Sequence, residues 1–128
     1  MPKNEKIKIL IIEDDLFLLG MYATKFELEN LGVFTAENGE KGLQVAEKEI
    51  PDIILLDIML PGIDGFEVLK KLKSNNNTKN IPVILLTNLS QKNEVEKGLK
   101  LGAISYLIKA HFMPAEVVEK IKKIINKK

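Results

Sequence analysis

The sequence contains neither cysteine nor arginine, and each absence narrows the functions that it can have. Without cysteine there is no disulfide bond, no thiolate metal site and no cysteine nucleophile. All 19 positions counted as lysine or arginine are lysine, so the chain lacks the guanidinium group that usually reads guanine and grips phosphate at two points. The formal net charge of +1 gives no strong field for nucleic acid or an anionic membrane. We therefore expect no direct nucleic-acid partner.

Long hydrophobic runs are also absent. No apolar run approaches the length of about 20 residues that a membrane-spanning helix needs. The first residues, from Met1 to Lys6, lack the apolar core of a secretory signal peptide. We therefore expect a cytoplasmic protein with no membrane association. A length of 128 residues suits one domain of common size, so we expect a single domain over residues 1–128 with no output domain.

Short apolar runs alternate with amphipathic segments along the chain. Runs rich in isoleucine, valine and leucine are typical of buried parallel strands. The predicted strands cover residues 7–12, 33–37, 52–57, 81–87 and 103–109. Apolar residues at helical spacing follow each strand, and the last such segment begins at Pro114. This alternation predicts an α/β fold with a doubly wound five-stranded parallel sheet, a (βα)5 unit.

Several residues give the expected helix boundaries. Asp15 is a candidate N-cap of the first helix, and Gly32 is a candidate C-terminal cap of the same helix. Asp64 with Glu67 three residues later has the pattern of a capping box, and Ser90 is a candidate cap of the fourth helix. In the first two helices, the apolar residues expected to face the core are Leu16, Leu19, Tyr22, Ala23, Phe26, Leu28, Leu31, Leu43, Ala46 and Ile50.

Four predicted strands end beside a residue that can bind a metal ion or a phosphoryl group. Glu13 and Asp14 follow the first strand, and Asp57 ends the third. Thr87 ends the fourth strand and Lys109 ends the fifth. Because the carboxyl ends of parallel strands open onto one crevice, these side chains are expected at a single edge of the sheet. Carboxylates suit Mg²⁺, whereas lysine and threonine suit phosphate.

Four motifs in this order resemble the receiver domain of two-component response regulators. They are Ile11-Ile12-Glu13-Asp14-Asp15, the stretch from Leu55 to Gly65, Leu85-Leu86-Thr87 and Tyr106-Leu107-Ile108-Lys109. The resemblance covers essentially the whole chain. It implies a flavodoxin-like fold with strand order 2-1-3-4-5.

The resemblance also implies a phosphoryl-acceptor site with a Mg²⁺ cofactor. Asp57 would accept a phosphoryl group from a histidine kinase or a phosphotransfer protein. Asp14, Asp57 and the backbone carbonyl of Met59 would be direct metal ligands, and Glu13 would act through a water molecule. Mg²⁺ retains several waters, so this small number of protein ligands is sufficient. Lys109 would pair with one phosphoryl oxygen.

Four side chains would carry the signal and set its duration. By the same resemblance, Thr87 would hydrogen-bond a second phosphoryl oxygen and couple this contact to inward rotation of Tyr106. The surface formed by the fourth helix, the fifth strand and the fifth helix would then change, and a downstream protein would read it. Met59 and Leu89 would border the path of the hydrolytic water. Both are apolar and cannot orient that water, so slow autodephosphorylation is expected. The resemblance further implies a signalling switch with weak self-phosphorylation that is not an enzyme.

Three other functions are compatible with parts of the sequence. A pseudo-receiver would act as an interaction module without using its phosphoryl site, and the intact set of acids with Thr87 and Lys109 argues against it. A haloacid-dehalogenase-type phosphatase would need an acid at Met59, two residues after its nucleophile. A flavodoxin-like flavin carrier would need glycine and hydroxyl donors after Ile12, where the chain is acidic.

The chain departs from the family's pattern after Lys109. Ala110 stands where the family commonly has proline, and the family's peptide bond there is usually cis. A cis bond before alanine costs roughly 3 kcal/mol. The loop therefore either holds a strained cis bond, which we expect, or follows a different path. His111 is expected to be a solvated loop residue, because a single imidazole makes a poor metal site.

Overall fold

The fold is built around five parallel strands. The computed structural model describes residues 6–88, 92–109 and 114–126. The strands are β1 (Lys8–Ile12), β2 (Gly32–Ala36), β3 (Ile53–Asp57), β4 (Val83–Thr87) and β5 (Ser105–Ile108). They form one sheet in the order β2-β1-β3-β4-β5, and every neighbouring pair is parallel. The predicted flavodoxin-like topology is therefore confirmed, and strand ends differ from prediction by at most two residues.

Five helices cover the two faces of the sheet. They are α1 (Leu16–Leu28), α2 (Gly39–Glu49), α3 (Gly65–Ser74), α4 (Lys92–Lys100) and α5 (Pro114–Asn126). None of the helices in the described ranges is both long and apolar enough to cross a bilayer.

Alternating side chains of each strand divide the core into two layers. Leu10, Ile12 and Leu85 belong to the layer that packs under α2 and α3. Ile9 and Ile11 belong to the layer that packs under α1 and α5. Since both faces of the sheet are covered, the central strands are apolar at nearly every position, as expected for a doubly wound sheet.

Helix starts follow the predicted capping pattern. The Asp15 carboxylate accepts hydrogen bonds from the backbone N–H groups of Phe17 and Leu18 at 3.0 and 3.2 Å. The Asp64 carboxylate accepts one from the Glu67 N–H at 3.0 Å. Each cap satisfies donors that the first turn of a helix leaves unpaired. The predicted cap at Ser90 lies outside the described residues.

Helix ends and helix faces depart from prediction in several places. Gly32 is not the cap of α1, because the helix ends at Leu28 and Gly32 already opens β2. Asn30 takes the left-handed conformation instead, with φ of 68°. Ile50 is 46% exposed rather than buried, since it ends α2 with φ of 43° and its side chain turns away from the core. Leu16 and Leu28 are also exposed, at 64% and 76%, because they lie on the outer face of α1.

The strand register places the polar residues that end or follow the strands side by side at the carboxyl edge of the sheet. Ile12 pairs with Leu56, so the residues that follow them, Glu13 and Asp57, are neighbours. Asp57 pairs with Leu86, and Thr87 pairs with Ile108. Lys109 comes directly after this last pair. The carboxyl edge of β1, β3, β4 and β5 therefore collects the acids, the threonine and the lysine.

Candidate functional site

Lys109 links two acids at the carboxyl edge of the sheet. Its Nζ atom lies 2.6 Å from Oε1 of Glu13 and 2.9 Å from Oδ2 of Asp57. Glu13 is fully buried, Asp57 is 2% exposed, and the Lys109 side chain is 9% exposed. One ammonium therefore compensates two buried carboxylates from neighbouring strands, which stabilises an arrangement that like charges would otherwise oppose.

Glu13 and Asp14 are adjacent in sequence but lie in different environments. The Glu13 Oε2 atom accepts a hydrogen bond of 3.0 Å from the Asp15 N–H, and the Glu13 N–H donates to the Ala36 carbonyl at the same distance. These contacts fix Glu13 inside the sheet edge. Asp14 is exposed to solvent. The chain thus presents one rigid buried carboxylate and one accessible carboxylate.

Asp57 is held by the loop that follows its own strand. The Met59 N–H donates a hydrogen bond of 3.1 Å to Oδ1 of Asp57. Gly65 lets the start of α3 approach closely, because a Cβ atom there would lie 2.3 Å from the Asp57 backbone oxygen. The sequence suggested no role for Gly65, although a glycine directly after the Asp64 cap was an available signal. Only glycine fits this approach without displacement of the backbone.

Burial dominates the ionisation of Asp57. It raises the pKa of the carboxyl from 3.8 to about 7, since the charged form loses its contact with water. The hydrogen bond from Lys109 acts in the opposite direction, but the nearby Glu13 carboxylate adds to the rise. The ammonium of Lys109 is shared with Glu13 and does not fully offset the cost of a second buried negative charge.

The pKa of Lys109 moves upward. Burial acts to lower it, but the hydrogen bonds and negative charges of Glu13 and Asp57 outweigh burial. Tyr22 lies on the core side of the same cluster and is fully buried. Its pKa is raised by burial, with opposing influence from Lys109 and further support from Glu13. The sequence predicted Tyr22 only as a core residue, and its helical spacing gave no sign that it lies within the field of the site.

The three acids form a donor set that fits a divalent cation. One carboxylate oxygen from each of Glu13, Asp14 and Asp57 lies within 4.8 Å of the other two. Oxygen donors of this kind suit Mg²⁺, which needs only a few protein ligands because it retains waters. The predicted gathering of these acids at one site is therefore present in the structure.

The other predicted residues lie at different depths. Thr87 is 5% exposed at the end of β4, and Met59 is 64% exposed beside Asp57. Tyr106 is 39% exposed and borders a surface cleft with Lys92, Val95 and Glu96 of α4. Leu89, His111 and the bond between Lys109 and Ala110 lie outside the described residues. The expected cis bond therefore stays a prediction.

Comparison with known proteins gives a consistent result. Residues 9–122 match the response regulator receiver domain family. The alkaline phosphatase synthesis transcriptional regulatory protein PhoP of Bacillus subtilis is 37% identical over 120 residues, which are 94% of this chain and 49% of that protein. The receiver domain of the Francisella response regulator 1452 is 30% identical with a TM-score of 0.87, covering 95% of this chain and 98% of that one.

A third comparison bears on the acidic cluster. The receiver domain of the sensor histidine kinase PA1611 from Pseudomonas aeruginosa is 25% identical, with a TM-score of 0.87. The match covers 95% of this chain and 99% of that one, and that structure has a magnesium ion in its active-site cleft.

The chain belongs to the response regulator receiver domain family, because the family match extends over most of its length. It is a CheY-like receiver domain of two-component signalling proteins. The chain spans about half the length of curated relatives such as PhoP.

Proposed function

We propose that this receiver domain is a phosphorylation-dependent switch that accepts a phosphoryl group on Asp57. The observation that carries the proposal is the position of Lys109, within 2.6 and 2.9 Å of Glu13 and Asp57 beside the accessible Asp14. A buried acceptor, a neighbouring cation and a set of metal-binding oxygens are the groups that phosphoryl transfer needs.

Asp14, Asp57 and the backbone carbonyl of Met59 would hold Mg²⁺ directly, and Glu13 would hold it through water. The fit rests on the carboxylate oxygens, which lie within 4.8 Å of one another. Bound there, Mg²⁺ would neutralise charge on the phosphoryl oxygens and help to align them. The magnesium in the PA1611 receiver domain supports this assignment.

In the transfer step, a carboxylate oxygen of Asp57 would form a bond to phosphorus as the bond from phosphorus to the donor's histidine nitrogen breaks. The Met59 N–H, 3.1 Å from Oδ1, would keep the Asp57 carboxylate in a fixed orientation. Lys109 would move its ammonium toward a phosphoryl oxygen, since it already contacts Asp57 at 2.9 Å. Most of the contribution of the protein would be positional and electrostatic.

Thr87 and Tyr106 would carry the signal to the surface. Thr87 is nearly buried at the end of β4, and Leu85, two residues before it in the same strand, pairs with Tyr106 of β5. A hydrogen bond from Thr87 to the phosphoryl group would open space into which the exposed Tyr106 ring could rotate. The surface of α4, β5 and α5 would then differ between the two states, as expected of a bistable element.

A histidine kinase or a phosphotransfer protein would supply the phosphoryl group, and a downstream protein would read the altered surface. Weak self-phosphorylation from small donors and slow autodephosphorylation would accompany this role. We further propose a cytoplasmic location and no direct contact with nucleic acid or membrane by this domain.

The test is labelling with acetyl phosphate and Mg²⁺, followed by intact-mass analysis. We expect one phosphoryl addition in the wild type and none in Asp57→Asn. Asp52→Asn is the matched control, because Asp52 lies just before the same strand at the opposite edge of the sheet, where its carboxylate accepts a hydrogen bond from the Lys8 N–H at 2.8 Å. The control should be labelled normally. Undiminished labelling of Asp57→Asn would refute the acceptor assignment, and an unlabelled wild type would favour the pseudo-receiver.

A further inference from the structure

An open cleft lies next to the acidic cluster, between the loop after β3 and the helix α4. It has a volume of about 380 Å³. Asp14 and Met59 line it together with Glu94 of α4. The cleft thus shares Asp14 and Met59 with the proposed metal site and extends beyond it to Asp64, Phe66 and Glu94.

The floor of the cleft is apolar. Ile58, Met59 and Phe66 contribute to it, and the Met59 side chain is 64% exposed. A methionine at such a surface can adapt its shape to an inserted apolar side chain. Burial of even a few methylene groups there would favour binding, because it removes apolar surface from water.

The charged side chains at the rim of the cleft are all negative, although the Asp64 carboxylate also accepts the Glu67 N–H as the cap of α3. The charged residues that line it are Asp14, Asp64 and Glu94, and all three are acidic. None of them makes an ion pair in the described part of the chain, although the sequence contains 19 basic residues. An occupant with positive charge beside an apolar group would therefore complement both the rim and the floor.

Phe66 already attracts one ammonium group. The Nζ atom of Lys97 lies 4.5 Å from the centre of the Phe66 ring. Lys97 lines a neighbouring groove with Glu96 and Lys100 and does not line the cleft itself. The contact is a cation–π interaction made from outside the cleft, and it shows that the face of this ring can attract a positive charge.

We propose that the cleft receives a segment of the phosphodonor protein in which an apolar side chain is flanked by lysine or arginine. This inference rests on the proposed function, because it assumes that a donor protein approaches Asp57. Met59 connects the two regions, since its side chain lines the cleft and its N–H contacts Asp57 at 3.1 Å. A donor that fills the cleft would therefore be guided to the acceptor, and its basic residues would set the direction of approach.

The experiment uses two short peptides that differ only in charge, Ac-Lys-Leu-Phe-Lys-NH2 and Ac-Glu-Leu-Phe-Glu-NH2. Each is titrated into ¹⁵N-labelled, unphosphorylated protein without Mg²⁺, and amide shifts are followed by NMR. We expect the basic peptide to shift the amides of Ile58, Met59 and Glu94. The acidic peptide should bind at least about tenfold more weakly, because like charges would face each other across the rim.

Two variants and one matched control sharpen the result. Glu94→Gln should weaken binding of the basic peptide by about two- to fivefold. Asp64→Asn, which retains a capping side chain, should act in the same direction when combined with it. Glu96→Gln changes the same charge on the same helix outside the cleft and should have no effect.

Equal binding of the two peptides would overturn the proposal, and so would amide shifts centred on the groove lined by Glu96 and Lys97. The absence of any shift with the basic peptide at about 10 mM would also overturn it, because a ligand this short is expected to bind at concentrations of that order. Acetyl phosphate labelling of Glu94→Gln is measured in parallel. This variant should be labelled normally. In the wild type, normal labelling without binding of the basic peptide refutes only the cleft, whereas absent labelling with peptide binding refutes only the phosphoryl-acceptor role.

Discussion

The central strands β3 and β4 differ from the edge strand β5 in how completely they are buried. Every residue of β3 and β4 is buried, including Asp57 and Thr87 at their ends. The residues of β5 are at most half-buried, and Tyr106 is 39% exposed. Side chains in a fully packed environment cannot shift without cost, whereas those at a surface can. The proposed phosphoryl-acceptor site therefore lies on fully packed strands, whereas the surface proposed to change on phosphorylation includes a strand whose side chains are less tightly packed.

Lys109 connects these two regions. It follows the partly exposed β5, yet its ammonium lies within 2.6 and 2.9 Å of acids that follow or end the buried strands β1 and β3. Any change in charge at Asp57 would therefore act directly on Lys109, the residue that follows the partly exposed strand β5. The predictions that follow test this connection, beginning with the largest expected effect.

The first prediction is that Lys109→Met destabilises the metal-free protein by about 3 kcal/mol, because it leaves the buried Glu13 and Asp57 without their shared cation. The free energy of unfolding is measured in urea at pH 8 with a chelator present. Addition of Mg²⁺ should restore part of the loss, since the cation would take over the compensation. Lys100→Met, which removes an exposed lysine at the end of α4, is the control and should have little effect.

A loss no larger than that of the control would contradict this prediction. It would mean that water compensates the charges of Glu13 and Asp57 in solution, and that Lys109 couples β5 only weakly to the buried strands.

The second prediction concerns Asp57→Asn, which should stabilise the metal-free protein by about 2 kcal/mol at neutral pH. The pKa of Asp57 is raised from 3.8 to about 7, so the folded state binds more protons than the unfolded state between these values. The contribution of the Asp57 carboxyl to the free energy of unfolding is therefore most favourable below pH 4 and is lost as the pH rises toward 7. Unfolding free energies measured from pH 4 to 8 should decline less steeply in Asp57→Asn than in the wild type.

Asp52→Asn serves again as the comparison, because its carboxylate lies at the other edge of the sheet and is half-buried. If both variants show the same pH profile as the wild type, the burial of Asp57 does not control its ionisation.

Much of this arrangement could be predicted from sequence because it depends on local patterns. Apolar runs predicted the strands, and the residues at the carboxyl ends of these runs were predicted to lie together at one edge of the sheet. Asp15 and Asp64 were recognisable as caps because their side chains act on backbone groups two or three residues away. Strand order came from the family resemblance and not from the pattern of residues.

Other features could not be predicted because they depend on distances between elements. Ile50 has the spacing of a core residue, but the left-handed turn at the end of α2 directs it outward. Glycine in a helix interior is normally destabilising, but at Gly98 of α4 a Cβ atom would lie 2.1 Å from Cδ1 of Leu85. The glycine is therefore where the helix approaches the sheet. In the same way, no pattern showed that one ammonium would lie between Glu13 and Asp57.

The third prediction concerns the lifetime of the phosphoryl group. Met59 is exposed beside Asp57 and can neither orient nor activate a water molecule. Leu89 is its expected partner at the mouth of the site. Met59→Asn/Leu89→Glu should therefore increase the rate of dephosphorylation about tenfold or more, since a positioned polar group typically contributes at least this factor. The measurement is the decay of purified phosphoprotein with Mg²⁺, and Met59→Leu/Leu89→Met is a control that keeps both side chains apolar.

An unchanged decay rate in the polar double variant would show that these side chains do not control hydrolysis. Access of water would then be limited by other parts of the site.

The last and smallest effect is expected for Asp14, which follows a buried strand but is itself exposed. Asp14→Asn removes a carboxylate that lies within 4.8 Å of those of Glu13 and Asp57, so metal-free stability should rise. Solvent screening limits the gain to less than about 1 kcal/mol. Mg²⁺ affinity, followed by calorimetric titration, should fall in the same variant.

A stability gain as large as that of Asp57→Asn would mean that closeness of the carboxylates outweighs burial. A decrease would mean that the acids do not repel one another. The expected ranking, with Asp57 well above Asp14, instead makes the depth of each carboxylate the property that sets its cost.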